Sequence, residues 1–326
     1  MGEHKKQIDV SILAIGAAVQ DVYLSGEVFT PHKDHGNFVE EFRLGSKNDI
    51  NAPVFSTGGG ATNAAVTFAR QGLHARYMGK IGHDPAGRSV LDDLHKDAVD
   101  TSLVGYSKDY NTGYSCLLLS PNGERTILTY RGASTHYEIT EKDFHNVDVD
   151  WIYLSSMEGN FEVLETVFAY AEHKKIKIAM NPGKKELENK EALKALLPKL
   201  TVLSLNLDEM QMLYHGENRE DLIRAANGEV PFVVVTDGPN GASAGDGKQI
   251  VHAGMYEDVP VIDRTGAGDA FSSGFVAMIA AGRGIAEAVT FASANSTSVV
   301  ASIGAKAGIL DQDAHIHAMP LKVKSF

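Results

Sequence analysis

The sequence predicts an α/β fold of three layers, a mainly parallel central sheet with helices on both faces, carrying a small β lid. Short apolar runs alternate with amphipathic segments along most of the chain, which is the pattern of βαβ units. No repeat or low-complexity linker interrupts the 326 residues, a length that suits one large α/β domain or two small ones and is read here as one, 1–326. Two segments break the alternation, and the lid is assigned to them, at about 22–56 and 112–131.

In chain order, an apolar strand is expected at 10–15, a helix at 62–71, a strand at 75–78 and a helix at 86–94. Trp151–Leu154 is the next apolar run, followed by a helix at 161–173 and the runs 176–180, 193–200 and 202–205. A helix at 208–214 precedes the very apolar Phe232–Thr236, and a further helix is expected at 286–301. The first interruption carries scattered strand-like pieces, Val28-Phe29 and residues 38–42, without helical spacing. The second reads as a hairpin, 114–119 against 126–130, turning at Ser120-Pro121-Asn122-Gly123-Glu124.

Composition narrows the class. Hydrophobic content of 43% and charged content of 22% are ordinary for a globular protein, while a net charge of −12 argues against nucleic acid or an anionic membrane as partner. The single cysteine, Cys116, excludes an internal disulfide and lies in an apolar run, where a buried strand residue is expected rather than a nucleophile. Met1 to Gln7 is charged and the apolar stretch after it is too short for a signal peptide or a span, so a cytoplasmic protein is expected. The thirteen histidines show no H-E-x-x-H spacing or Cys/His cluster, and no zinc site is assigned.

The most informative stretch is Asp263-Arg264-Thr265-Gly266-Ala267-Gly268-Asp269-Ala270-Phe271. Phe271, Phe275, Val276, Met278 and Ile279 follow at the spacing of a buried helical face, so a helix begins at about Gly266. Its N-terminus presents unpaired N–H groups and the positive end of the dipole, and the small residues let an anion approach. Gly266, Ala267 and Gly268 would form an anion hole, with Asp269 placed to take a proton from an attacking hydroxyl. Alone, the stretch is equally a glycine-rich loop with an ordinary helix-start acid.

Asp-x-Thr-Gly-Ala-Gly-Asp-Ala-Phe, with Gly274 three residues on, resembles the C-terminal signature of the ribokinase-like (PfkB) carbohydrate kinases. Gly58-Gly59-Gly60-Ala61-Thr62-Asn63-Ala64-Ala65 and Gly79-Lys80-Ile81-Gly82-His83-Asp84-Pro85-Ala86-Gly87 resemble its N-terminal signature, in the right order and about 200 residues upstream. The resemblance covers nearly the whole chain. It implies a ribokinase-like fold and an ATP-dependent, Mg²⁺-assisted transfer to a hydroxyl of a sugar or sugar-like acceptor. It also implies a lid that covers the acceptor and often forms the contact of a homodimer. A nucleoside kinase of the same family and a non-catalytic sugar or nucleotide sensor on the kinase scaffold remain alternatives. A nicotinamide-dependent oxidoreductase is disfavoured, because Asn63 stands where the dinucleotide fingerprint needs a small residue.

Further residues follow from pattern and resemblance together. Asp21 comes after the first strand and the turn Gly16-Ala17-Ala18; ligands gather at the carboxyl ends of such strands, and the family has an acceptor-binding Asp there, although a lone Asp is more often a solvated loop acid. By resemblance Gly59, Gly60 and Asn63 contact the acceptor; ribokinases proper usually carry Lys at the position of Gly60, which speaks against ribose. Arg131, at the end of the hairpin, is either a clamp on the acceptor or a surface side chain, and Glu158 falls near another family substrate contact. Asn206 and Glu209 resemble the family Asn-x-x-Glu that orders Mg²⁺, mostly through water; the same pair is also an N-cap with its reciprocal Glu. Thr236, Gly238 and Gly241 resemble the loop along ATP, and Asn295 is placed at the adenine. A monovalent cation such as K⁺, if used, would take Asp263, Thr265, Val299, Ser302 and Gly304, largely through carbonyls. Arg264 reaches either a phosphate or solvent.

Overall fold

A computed structural model of the protein describes residues 8–121, 124–256 and 259–326. Met1 to Gln7 and the Asn122-Gly123 tip of the expected turn lie outside the described residues. A nine-stranded sheet runs in the order Leu321–Ser325, Gln249–Ala253, Ala242–Gly245, Phe232–Thr236, Val202–Asn206, Lys177–Met180, Trp151–Leu154, Ser11–Ile15, His74–Met78. The last six of these are mutually parallel, and the first three add an antiparallel edge.

Strand alternation divides the core into two clusters, one on each face. Ile12, Ala14, Tyr77 and Tyr153 pack with the helices Gly60–Arg70, Ala267–Ala280 and Ile285–Val300. Leu13, Ile15, Ile152 and Leu154 pack with Phe161–Lys174, Leu207–Leu213 and Arg219–Asn227. The three layers and the mainly parallel sheet are therefore present as the sequence predicts.

A second, four-stranded sheet runs in the order Arg125–Tyr130, Gly113–Leu119, Val19–Ser25, Val54–Gly58. The hairpin register pairs Leu119 with Arg125 and Tyr114 with Tyr130. Asp21 lies within this sheet, between Ser56 on one side and Ser115 on the other. Cys116 is half-buried in it, with burial raising its thiol.

Several expected elements differ. The first interruption pairs from Val19, three residues before the expected lid boundary, because Val19–Ser25 completes its hydrogen bonds with Gly113–Leu119. Val28-Phe29 is part of a 3₁₀ turn, Glu27–Phe29, with Phe29 buried, and only Asn37–Val39 of 38–42 is strand, with Phe38 64% exposed. The run 193–200 is the helix Lys190–Leu196 and a 3₁₀ turn, one face of a helix rather than a strand. No helix among the described residues is long and apolar enough to cross a membrane.

Candidate active site

The helix Ala267–Ala280 is capped by Gly266 at φ 79, and a Cβ there would sit 2.4 Å from the Ala305 Cβ, so only glycine fits this turn. Gly266, Gly268 and Asp269 border a notch of about 200 Å³ together with Asn206, Glu209 and Thr236. Three segments remote in sequence thus meet at the carboxyl ends of the parallel strands. Asn206 caps the helix Leu207–Leu213: its Oδ1 accepts from the Glu209 N–H at 2.9 Å, and Glu209 Oε2 accepts from the Asn206 N–H at 2.9 Å. Burial raises the Glu209 carboxyl, and Asp208 and Asp269 push in the same direction.

A larger cavity of about 440 Å³ adjoins the notch and shares Thr236 and Gly268 with it. Gly238 (φ 48) and Gly241 (φ 79) form its floor; a Cβ on Gly241 would lie 2.1 Å from the Ala253 carbonyl. Ala267 and Arg264 also line it. Asn295 does not. It is fully buried, donating to the Ala270 carbonyl at 2.8 Å and accepting from the Leu310 N–H at 2.9 Å. The helix Ile285–Val300 turns Ser293, Ser296, Thr297 and Val300 to the cavity instead, positions at helical spacing that put Asn295 on the opposite, packed side.

The other wall is built by the Gly-Gly-Gly turn that opens Gly60–Arg70. Gly59 has φ 102, and a Cβ there would be 2.2 Å from the Ala17 carbonyl. A Cβ on Gly58 would meet Asp21 Oδ2 at 2.4 Å, and one on Gly60 would meet Asp269 Oδ1 at 3.2 Å. The turn therefore threads between the two carboxylates. Asn63, one turn into the helix, donates through Nδ2 to Asp269 Oδ2 at 2.8 Å, joining positions 206 residues apart. Asp269 is held above the usual carboxylate range by burial, opposed by the Asn63 hydrogen bond and by Lys306. Asp21, 6% exposed, is raised by burial to about 6, with Ser115 and Lys306 opposing the rise and Asp263 adding to it.

Arg131 and Glu158 form an ion pair with each other, and Lys185 reaches the second Glu158 oxygen at 3.2 Å. Glu158 sits at φ 57 in a loop pinned by the fully buried Glu186, whose carboxylate accepts from the N–H groups of Met157 and Gly159 at 2.8 Å. Of the candidate cation ligands, Asp263 accepts from Thr265 N–H at 2.9 Å and Oγ1 at 2.7 Å and from the Gly304 N–H at 3.1 Å, so the three are already tied together. Val299 is buried within its helix, and its carbonyl accepts from the Ser302 N–H at 3.1 Å. Three residues beside the site escaped the sequence reading. Asn181 borders the notch and had a usable signal, since it follows the carboxyl end of Lys177–Met180. Ser155 lies against Gly16 and Gly60, and Lys306 is buried behind the glycine turn; neither sits in a motif.

A profile described as pfkB family carbohydrate kinase matches residues 30–312. The chain belongs to this family. Among its pfkB relatives, the ribokinase of Haemophilus influenzae is 24% identical over 262 residues, covering 77% of this chain and 83% of its own length. The structure of Arabidopsis thaliana ribokinase complexed with ribose and ATP superposes with a TM-score of 0.78 at 20% identity, covering 93% of this chain and 96% of the other. The nucleoside kinase of Methanocaldococcus jannaschii gives 0.77 at 19% identity, covering 94% and 97%. These two likenesses establish the ribokinase fold and leave the acceptor open, since a sugar kinase and a nucleoside kinase match almost equally well. As a pfkB member the chain is a kinase, a phosphotransferase of small molecules.

Proposed function

We propose that this pfkB kinase transfers the γ-phosphoryl group of ATP to a hydroxyl of a sugar or sugar-like small molecule, with Asp269 as the general base. The observation that carries the reading is the Asn63–Asp269 hydrogen bond. It brings the acceptor-side glycine turn and the phosphoryl-side glycine turn to one carboxylate. The acceptor would lie between Asp21 and Asp269, against the backbone at Gly59 and Gly60, with Arg131 and Glu158 at the mouth. ATP would occupy the cavity beside Thr236, Gly238 and Gly241, its phosphates pointing to Gly266, Ala267 and Gly268.

Proton transfer to Asp269 raises the nucleophilicity of the acceptor oxygen, and the helix-terminal amides stabilise charge on the transferring group; holding the partners in line supplies much of the acceleration. Asn206 and Glu209 fit Mg²⁺: one amide oxygen and one partly buried carboxylate suit a hard cation that keeps most of its waters. Bound there, Mg²⁺ would supply neutralisation of phosphate charge. A monovalent cation such as K⁺, if used, would take the loop of Asp263, Thr265 and Gly304 together with Val299 and Ser302, largely through carbonyls. The four-stranded sheet acts as the lid that excludes water, and its exposed Phe55, Ile127 and Leu128 support a homodimer through it.

The test is a coupled ADP-release screen with Mg·ATP, with and without K⁺. The acceptors are ribose, fructose, fructose 6-phosphate, 2-keto-3-deoxygluconate, adenosine, inosine and cytidine. Turnover with one sugar is expected; a nucleoside hit would move the acceptor class, and ATP binding with no turnover on any acceptor would count against a catalytic role.

A further inference from the structure

Arg264 is the residue of the Asp263–Phe271 stretch that the chemistry above leaves without a role. Its backbone is fixed on both sides. The Ile262 and Asp263 N–H groups donate to the Val300 carbonyl at 2.7 and 3.2 Å, the Asp263 carboxylate accepts from the Thr265 N–H at 2.9 Å, and Gly266 closes the turn against Ala305. The residue so held lines the cavity of about 440 Å³ together with Thr236, Ala267 and Gly268, and it is exposed. Elsewhere in the chain, Arg70, Arg76 and Arg283 each hold a carboxylate, at 2.8, 3.0 and 3.5 Å. Among the described residues the Arg264 guanidinium has no carboxylate partner and makes no hydrogen bond.

The chain carries a net charge of −12, and the notch beside the cavity is bordered by the carboxylates of Glu209 and Asp269. Among the described residues that border the notch or the cavity, Arg264 is the one with a cationic side chain. A nucleotide polyphosphate entering there meets two carboxylates, and a facing cation offsets that repulsion; a guanidinium fork also matches the spacing of phosphate oxygens. Position narrows the role. Arg264 borders the cavity but not the notch that holds Asp269, so it faces the nucleotide and not the hydroxyl that Asp269 serves. We propose that Arg264 is a nucleotide-binding residue: its guanidinium holds the phosphates that stay with the departing ADP, leaving the amides at Gly266, Ala267 and Gly268 to the transferring group. The proposal rests on the kinase reading for the direction of transfer; recognition of a nucleotide polyphosphate rests on the cavity and its charges.

The experiment is a calorimetric titration of the full chain with ADP at low and at high salt, in the wild type, Arg264→Met and Arg264→Lys, paired with steady-state kinetics. Arg264→Met keeps an apolar stem and removes the charge, and because the side chain is exposed its Tm should match the wild type. At low salt Arg264→Met should bind ADP about 10- to 100-fold more weakly, the range for a lost charge-assisted hydrogen bond. Salt should weaken ADP binding less in Arg264→Met than in the wild type, because the screened charge is gone. Arg264→Lys should keep the salt response and fall between the two in affinity, having the charge without the fork. The KM for ATP should rise by the same factor as the ADP constant, with kcat and the acceptor KM within about twofold of wild type. ADP affinity in Arg264→Met within about twofold of wild type overturns the proposal. So does a weaker affinity with an unchanged salt response, which marks a structural role, or a fall in kcat at unchanged ATP KM, which places Arg264 on the transferring group. The expected ADP results with no turnover on any acceptor instead overturn the kinase reading and leave the assignment of Arg264 standing.

Discussion

Two glycine turns open helices on opposite walls of the same cleft, and they solve different problems. At residues 58–60 the backbone is squeezed between the Ala17 carbonyl and Asp21, so glycine is required by the crowding of other main-chain and side-chain atoms. At Gly266 the requirement is the left-handed turn itself, packed on Ala305, while no atom stands within 4 Å of where a Gly268 Cβ would be. One turn is closed around a carboxylate and suits hydroxyl groups; the other is open at a helix N-terminus and suits an anion. Asn63 and Asp269 occupy the first turns of the two helices, and their hydrogen bond is where the two halves become one site.

The largest expected effect breaks the phosphoryl half alone. Asp269→Asn should lower turnover by roughly two to four orders of magnitude and leave ATP affinity nearly intact, read by steady-state rates beside nucleotide titration. Activity within about tenfold of wild type would remove Asp269 from the base role.

Asn63→Ala cuts the bridge. Losing the hydrogen bond should reduce kcat/KM by about 10- to 100-fold, the range for an unpaired buried group. Because that bond holds the Asp269 carboxyl down, its loss raises Asp269 further, and the carboxylate form is the active one. The acid limb of the rate profile should therefore move to higher pH, and an unmoved limb would mean that the bond does not tune the base.

Paired alanines separate the turns. Gly59→Ala and Gly266→Ala each force a left-handed residue into contact and should each cost about 1–3 kcal/mol in thermal or denaturant unfolding. Gly59→Ala should raise the acceptor KM and Gly266→Ala the ATP KM; if both raise the same constant, the division of labour is wrong.

The smallest effect concerns stability. The folded carboxyl of Asp21 is raised to about 6 from 3.8, so the native state binds more protons than the unfolded chain between those values. Stability contributed at this site is thus lost as pH rises through that window and is full below it. Asp21→Asn should then gain about 1–2 kcal/mol at neutral pH, less than the full shift because the amide remains buried, with the gain vanishing below the unfolded value. Tm measured across pH in both proteins checks it; equal Tm at neutral pH would mean that Asp21 is not strained by burial.

Legibility followed the range of the interactions. The strand Trp151–Leu154 and the strand Phe232–Thr236 were legible to the residue because both are buried on two faces and read as unbroken apolar runs. The antiparallel strands Ala242–Gly245, Gln249–Ala253 and Leu321–Ser325 were not assigned: small residues and glycine in the first, and polar residues interleaved in the other two, leave no apolar run to detect, although only the last lies at the sheet edge. The run 193–200 was ambiguous because a short apolar segment fits either period. Among site residues, those at element termini stood out through Gly, Asn and Asp. Asn295 was misplaced for lack of a helical phase, and Lys306 was invisible because nothing local marks a lysine as buried.

By itself the sequence determined the alternation of strands and helices, the two glycine turns and the acid in the first turn of a helix. These depend on side-chain size, φ preference and hydrophobic period, all properties of a few neighbouring residues. Tertiary structure decided that Asn63 meets Asp269, that Arg131 meets Glu158, that Ser293 rather than Asn295 faces the cavity, and that Lys306 lies behind the Gly58-Gly59-Gly60 turn. Each of those depends on how helices and loops from distant parts of the chain are set against one sheet, and burial then shifts the charges of the groups they enclose.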